Sequence, residues 1–114
     1  MSLVAPAADG MGLSAATLDQ ICATLARFPQ VAQGVLYGSR AKGNFKPGSD
    51  IDLTLCGEGL TLSLLGDIEA ALDDLLLPYE IDLSIYHQLG HAELVAHIDR
   101  VGRVIYQKSQ TSQI

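Results

Sequence analysis

Apolar residues recur every three or four positions in three parts of the chain, and this spacing predicts amphipathic helices. Ser14 is a candidate N-cap for the first helix, and Pro29 follows its end. Pro78 and Gly102 stand after the second and third helices and are expected to end them. The predicted helices cover residues 14–28, 61–77 and 92–101.

Four further segments have the composition or the alternation that is typical of β-strands. Two of them alternate strictly between polar and apolar residues, which predicts strands with one buried face. The predicted strands cover residues 31–37, 50–56, 80–86 and 104–106. The resulting order, α-β-β-α-β-α-β, predicts an α/β (α+β) fold in which helices cover a single mixed β-sheet.

Length and composition indicate one domain. The chain has 114 residues, of which 48% are hydrophobic, and this suffices for one core. We expect the domain at residues 13–107, with flexible tails at 1–12 and 108–114 and with Met11 as a candidate natural start. No apolar run approaches the ~20 residues of a membrane-spanning helix. The two cysteines lack a Cys-x-x-Cys spacing, so we expect reduced thiols, a cytoplasmic protein and no membrane association.

The charge pattern sets one loop apart from the rest of the chain. Thirteen acidic residues against seven basic ones give a net charge of −6, so we do not expect long nucleic acids as partners. Arg40, Lys42 and Lys46 nevertheless cluster in the glycine-rich stretch after the first predicted strand. In this stretch Gly38 allows close approach to a ligand, and Ser39 supplies a hydroxyl and a candidate helix N-cap. Amides at the start of a short helix would add to the attraction for an anion, which predicts a phosphate-binding loop.

Three aspartates form a second candidate group. Asp50 and Asp52 are two positions apart on a predicted strand and therefore share its polar face, and Asp82 has the equivalent position on the next strand. Neighbouring carboxylates repel each other unless a cation neutralises them, and their hard oxygen atoms suit Mg²⁺ or Mn²⁺. A solvated acidic face is the alternative, but the loop just upstream favours a metal site.

The segment GSRAKGNFKPGSDID joins the two groups. It contains Gly38-Ser39, ten further residues and then Asp50-x-Asp52, and the later strand EIDLSIY carries Asp82. This pattern resembles the DNA polymerase β-type nucleotidyltransferase superfamily. Because the chain is short, it resembles in particular the minimal nucleotidyltransferases, which are antitoxins typically paired with a HEPN-domain toxin.

The resemblance implies a nucleotidyltransferase fold and a role for each carboxylate. Asp50, Asp52 and Asp82 would be catalytic residues and metal ligands, with two Mg²⁺ ions expected and Mn²⁺ as the alternative. Asp82 would also help to deprotonate or orient the attacking hydroxyl. AMP would pass from ATP to that hydroxyl as pyrophosphate leaves.

For the loop, the resemblance implies nucleotide binding. Gly38 and Ser39 would hold the β- and γ-phosphates, and Arg40 and Lys42 would assist through their charge. Lys46 is a further candidate for this role.

The acceptor follows from the resemblance and from the short chain, which has no room for a separate substrate domain. We expect the acceptor to be a tyrosine of a partner HEPN toxin, so that the protein acts as an antitoxin by AMPylation. Two alternatives remain: an antitoxin that neutralises its partner by occlusion without catalysis, and an antibiotic adenylyltransferase in which an oligomer builds the acceptor cleft.

Other polar residues are not expected to take part in catalysis. His87 and His91 lack the glutamate of a His-Glu-x-x-His metal motif. His97 is expected to be a surface or partly buried side chain of the third helix, and Tyr37 is expected to pack beneath the phosphate loop.

Overall fold

A computed structural model shows one four-stranded sheet with helices in its connections, and it describes residues 11–46 and 48–108. In chain order the elements are α1 (Ala15–Ala26), β1 (Gln33–Tyr37), α2 (Ser39–Lys42), β2 (Ile51–Cys56), α3 (Leu62–Asp73), β3 (Ile81–Ile85), a 3₁₀ turn (Tyr86–Gln88), α4 (Ala92–Val101) and β4 (Arg103–Gln107). The predicted fold class and element order are confirmed, and the single-turn helix α2 is an addition.

The sheet is mixed, with the strand order β3-β2-β1-β4. Strand β1 pairs antiparallel with both β2 and β4. Strand β2 pairs parallel with β3, because the chain between them returns through helix α3. The two strands that carry the predicted carboxylates are therefore neighbours that run in the same direction.

One face of the sheet is covered by α1 and α3 and contains the core. A β-carbon on Gly34 of β1 would contact the side chain of Leu25, so α1 lies close to this face. The buried side chains that meet here come from α1, α3 and alternate positions of the strands; they include Leu18, Ile21, Leu25, Leu36, Ile51, Leu53, Leu55, Ile68, Leu72, Leu83 and Ile85. The alternating pattern of β2 and β3 thus has its predicted cause, burial of one side.

The opposite face carries the polar residues and is partly covered by α4. The ring of His97 in α4 lies edge-on to that of Tyr37, with 6.2 Å between the ring centroids. A β-carbon on Gly102, directly after α4, would meet the side chain of Val35. Val35 and Tyr37 alternate with the core residues of β1, so α4 packs on the other side of the sheet from α1.

Two helices have side-chain caps at their first turn. The Ser14 hydroxyl accepts a hydrogen bond from the Thr17 amide, as predicted, and the Thr61 hydroxyl accepts one from the Leu64 amide. Helix α3 was expected to continue to residue 77 but ends at Asp73. The chain leaves the helix through bonds of the tighter i to i+3 type, and Leu76 adopts a left-handed φ of 56°.

The predicted tails need correction at both inner ends. Met11 was placed in the first tail, but its side chain is fully buried in the core. Lys108 was placed in the second tail, but its amide donates to the Ala32 carbonyl and its ammonium donates to the Pro29 carbonyl. Residues 1–10 and 109–114 lie outside the described residues. Within the described ranges, no helix is long and apolar enough to cross a membrane.

Candidate active site

Asp52 and Asp82 are neighbours on the polar face of the sheet. They are register partners in the parallel pair of β2 and β3, so their side chains leave the sheet on the same side. Tyr37 is the partner of Asp52 on the antiparallel side, and Asp50 lies just before β2. Asp52 and Asp82 thus share one rung near the start of two strands, with Tyr37 beside Asp52 and with Asp50 two residues before Asp52 in the chain.

The neighbouring carboxylates destabilise the charged form of Asp52. Burial raises the pKa of the Asp52 carboxyl above its ordinary value, and the charges of Asp82 and Asp50 raise it further, whereas a positive charge on the His97 ring would lower it. Asp50 and Asp82 are exposed, whereas Asp52 is half-buried. A cation at this place would remove the repulsion that Asp52 experiences.

The residues fit a divalent cation by their chemistry. All three offer hard oxygen atoms, which are the ligands that Mg²⁺ and Mn²⁺ prefer. Among residues 11–46 and 48–108, however, no three histidine, cysteine, aspartate or glutamate side chains are already gathered as a metal-binding group. Asp50, Asp52 and Asp82 are the residues that would hold a metal here.

Gly38 forms the turn between β1 and α2. Its φ of 78° is rarely adopted by residues with a side chain. A β-carbon here would overlap the Oδ2 atom of Asp52 and would force that carboxylate to move, so glycine allows both the backbone conformation and the close packing of Asp52. Ser39 is the first residue of α2 and Gly38 is its N-cap, so the prediction of Ser39 as N-cap is wrong. Ser39 thus directly follows the residue that contacts Asp52.

The basic residues of the loop do not share one environment. Lys42 and Lys46 are exposed, as charged side chains available to a ligand would be. Ser49 fixes the end of the loop, because its hydroxyl accepts from the Lys46 amide and its own amide donates to the Lys46 carbonyl. The loop is thus closed directly before Asp50.

Arg40 is buried, with only 2% of its surface exposed. Its Nε and one terminal nitrogen donate to the Ser49 carbonyl at 3.1 and 2.9 Å, and the other terminal nitrogen donates to the Met11 carbonyl at 2.8 Å. The guanidinium also lies 4.9 Å from the ring centroid of Phe45 and 4.8 Å from that of Tyr79.

The predicted role of Arg40, to assist the phosphates through its charge, would therefore be exerted from a buried position and without a free guanidinium. A basic residue in a glycine-rich loop resembles a phosphate ligand in sequence, but here carbonyl oxygens and aromatic faces occupy the guanidinium. Through these bonds Arg40 joins Met11, which precedes α1, to Ser49 at the end of the loop. It therefore supports the loop conformation from the buried side.

Two residues of the site were not expected to have a function. The Gly38 amide donates to Nε2 of His97 at 3.2 Å, which connects helix α4 to the turn. Tyr37 is 9% exposed; burial raises the pKa of its hydroxyl, a hydrogen bond with the Ser84 side chain opposes this, and the charges of Asp52 and Asp82 raise it further. Tyr37 is therefore a neutral hydrogen-bonding group beside the carboxylates.

The helical pattern contains a signal for His97. It stands three residues after Leu94 and four before Val101, so it lies on the helix face that carries these apolar residues. A histidine on the inner face of a helix next to an acidic sheet face is expected to meet polar groups there. The contact with Gly38 itself depends on how α4 crosses the sheet, which the sequence does not show.

The remaining candidates lie away from the carboxylates. The Cys22 thiol donates to the Ile105 carbonyl, both cysteines are free, and burial raises the pKa of each. His87 is exposed and lines an open cavity of about 510 Å³ at the other end of β2. No predicted site residue lines that cavity, whose walls are Cys56, Gly57, Glu58, Gly59, Tyr86 and His87.

Solved structures of toxin–antitoxin complexes share this fold. A toxin–antitoxin complex with AMP-PNP matches with a TM-score of 0.66 and 20% identity, over 82% of this chain and 74% of the other. A MntA–HepT complex matches with a TM-score of 0.63 and 17% identity, over 85% and 74%. A tri-AMPylated Shewanella oneidensis HEPN toxin in complex with its MNT antitoxin matches with a TM-score of 0.59 and 18% identity, over 83% and 72%.

Sequence comparison gives the family. Among curated proteins, none shows significant similarity to this chain. The family model of the polymerase beta nucleotidyltransferases matches residues 19–111, which include every residue of the candidate site. The predicted superfamily is confirmed: the chain belongs to the polymerase beta nucleotidyltransferase family.

Proposed function

We propose that the protein is a metal-dependent nucleotidyltransferase that transfers AMP from ATP to a tyrosine hydroxyl of a HEPN toxin and thereby acts as its antitoxin. The observation that carries the proposal is the shared rung of Asp52 and Asp82 beside the Gly38 turn. A divalent cation would neutralise the neighbouring carboxylates, and the tight glycine-serine turn beside them would accommodate the phosphates bound to that cation.

The carboxylates would act on the α-phosphate. Asp50, Asp52 and Asp82 would hold the divalent cation, which when bound neutralises charge on the phosphates and aligns the reacting oxygen atoms. The acceptor oxygen forms a bond to the α-phosphorus, and its proton passes to a carboxylate, for which exposed Asp82 is the candidate. The bond from the α-phosphorus to the bridging oxygen breaks, and pyrophosphate leaves.

The loop would bind the rest of the triphosphate. Ser39 follows the turn and is partly exposed, so its hydroxyl would donate to a phosphate oxygen. The exposed Lys42 would add positive charge, with Lys46 as a further contributor. In a chain of net charge −6, these lysines give the loop a local attraction for an anion.

A partner protein would supply the acceptor. The described residues form one sheet with its covering helices, and no second unit among them could grip a substrate. One structure with the same fold contains a tri-AMPylated HEPN toxin, and another contains AMP-PNP. These relatives support a protein hydroxyl as acceptor and an adenine nucleotide as donor.

Intact mass spectrometry tests the proposal. The protein is mixed with the product of the gene that neighbours its own, with ATP and Mg²⁺, and the masses of both chains are recorded with and without EDTA. We expect the partner to gain the mass of one or more AMP groups, only when Mg²⁺ is present. The Asp50→Asn, Asp52→Asn double variant should abolish the gain, and Asp67→Asn, Asp73→Asn, which removes two exposed charges from α3, should preserve it.

Neutralisation by occlusion is the second candidate. It is favoured by the solved structures with the same fold, in which an antitoxin is held in a complex with a toxin. Under this alternative the Asp50→Asn, Asp52→Asn variant still binds the toxin and still protects cells from it. If the variant still forms a stable complex with the toxin but no longer protects the cells, the result supports catalysis instead.

A further inference from the structure

We infer that His97 is a positioning residue of the nucleotide site, because its neutral imidazole holds the Gly38 peptide and so fixes the Gly38–Ser39 turn against Asp52. The inference rests on the proposed function of this site. It concerns helix α4, which lies outside the glycine-serine and aspartate motifs.

The hydrogen bond determines the state of the imidazole. The Gly38 amide donates to Nε2 of His97 at 3.2 Å, and an imidazole nitrogen accepts only when it carries no proton. The ring is therefore neutral in this arrangement, with its proton on Nδ1. A protonated ring would have no acceptor to offer to the Gly38 amide.

Strand pairing explains why the Gly38 amide needs this partner. The last pair between β1 and β4 is Leu36 with Arg103, so within residues 11–46 and 48–108 no strand residue pairs with Gly38 on the side of β1 that faces β4. A backbone amide near the interior that lacks a partner is costly. Helix α4 ends just before β4. Its His97 accepts the hydrogen bond of the Gly38 amide, in place of a backbone carbonyl from a longer β4.

The turn has little freedom to move once this bond is made. On one side a β-carbon on Gly38 would already overlap Asp52, and on the other side the amide is fixed by His97. The two contacts define the peptide plane from which Ser39 extends toward the proposed phosphate position. Loss of the bond would let the turn rotate without unfolding the sheet.

Helix α4 is itself fixed in place by a second polar contact. The Tyr86 hydroxyl donates to Oδ1 of Asp99 at 2.7 Å, which joins α4 to the end of β3. The edge-on contact between the rings of Tyr37 and His97 orients the imidazole. His97 therefore reaches Gly38 from a helix whose position is set by other residues.

Two variants separate positioning from packing. His97→Gln keeps an acceptor near the position of Nε2, whereas His97→Leu keeps similar volume but cannot accept a hydrogen bond. His87→Gln, on the exposed 3₁₀ turn, is the matched control. If His97 only fills space, the glutamine and leucine variants will behave alike.

Binding and turnover are both measured. With AMP-PNP and Mg²⁺, we expect His97→Leu to weaken binding roughly threefold to tenfold, the range of one net hydrogen bond. In AMP transfer it should raise KM for ATP by a similar factor and change kcat less. His97→Gln should stay within roughly twofold of the wild type in both assays. Equal binding by the wild type and His97→Leu would overturn the inference while leaving the proposed function intact.

Nuclear magnetic resonance of the nucleotide-free wild type keeps the test independent of variant folding. We expect a neutral His97 with an unprotonated Nε2, and a coupling or exchange protection that marks the Gly38 amide as hydrogen-bonded. A proton on Nε2 at pH 7 would overturn the inference even if the protein is active. If the wild type binds no nucleotide, the proposed function and the role of His97 in it both fail, whatever the state of the ring.

Discussion

Gly38 and Asp52 pack against each other so closely that a β-carbon on Gly38 would overlap the Oδ2 atom of Asp52. The two residues belong to different parts of the sequence motif, one in the turn after β1 and the other in β2. Their contact makes the proposed phosphate turn and the proposed metal ligand a single steric unit. A substitution at either residue should therefore displace the other.

Gly38→Ala tests this contact. The new β-carbon would push the Asp52 carboxylate aside, and we expect AMP transfer to fall by roughly a hundredfold, as for an ångström-scale displacement of a reacting group. Gly48→Ala is the matched control, because Gly48 has a similar φ of 83° but open space around its β-carbon position. Both variants place alanine at a positive φ. The cost in stability should be larger for Gly38→Ala, because its ψ of −155° lies in a region that is essentially restricted to glycine, so activities are compared per folded molecule. Equal activities of the two variants would contradict the prediction.

Asp52→Asn should stabilise the metal-free protein at neutral pH. Burial and the neighbouring carboxylates raise the pKa of Asp52, so the folded chain binds this proton more tightly than the unfolded chain does. The resulting stability is present below the unfolded pKa and is lost as the pH rises through the raised pKa. Asparagine removes the charge at every pH.

The measurement is the melting temperature in EDTA as a function of pH. The gain of Asp52→Asn over the wild type should be largest near pH 7 and should shrink below the ordinary carboxyl range of about pH 4. Added Mg²⁺ should reduce the gain at pH 7, because it stabilises only a protein with its ligands intact. A lower melting temperature for the variant at pH 7 in EDTA would refute the argument.

Arg40→Lys should destabilise the fold although it conserves the charge. Lysine cannot reproduce the three hydrogen bonds to the Ser49 and Met11 carbonyls, nor the planar contact with two aromatic rings. We expect the free energy of unfolding to fall by about 2–4 kcal/mol in urea titrations, the range for breaking a buried hydrogen-bond network.

Arg27→Lys is the control for this substitution. Arg27 is exposed and lies 5.9 Å from the ring centroid of Phe28, so its replacement should change the free energy of unfolding by less than about 0.5 kcal/mol. If Arg40→Lys is equally mild, the guanidinium does not hold the loop.

Leu76→Gly should stabilise the protein. Leu76 has a φ of 56° and is 87% exposed, so its side chain strains the backbone and contributes little burial. Glycine relieves a strain of about 1–2 kcal/mol but adds entropy to the unfolded chain, which leaves a net gain of roughly 0.5–1 kcal/mol. Leu76→Ala retains the β-carbon and should show no such gain. Urea unfolding of the three proteins decides between these outcomes.

The sequence was sufficient to predict the sheet and its acidic face. Alternation in β2 and β3 separates Asp52 and Asp82 from the core residues, and this rule needs no knowledge of distant contacts. The order of the elements could be predicted from the spacing of apolar residues, because each helix and each strand buries one side and so has its own apolar period.

Arg40 and the end of α3 show where local rules stop. The partners of Arg40 are Met11, Phe45, Ser49 and Tyr79, which come from four places in the chain and have no common spacing. Only the folded loop brings them together, so the arginine resembled a phosphate ligand in sequence. Helix α3 ends before its apolar pattern does, because Leu76 turns left-handed ahead of Pro78.

Asp52 and Asp82 are separated by a whole helix in the chain, yet they occupy one rung of the β2–β3 ladder. Their spacing is therefore set by the distance of about 4.8 Å between adjacent strands, and the length of the connection through α3 does not affect it. Insertions or deletions around α3 would reshape the outer surface and leave the carboxylates in place. The fold thus separates the connection, whose length can vary, from the spacing of the two carboxylates, which the strand pairing keeps constant.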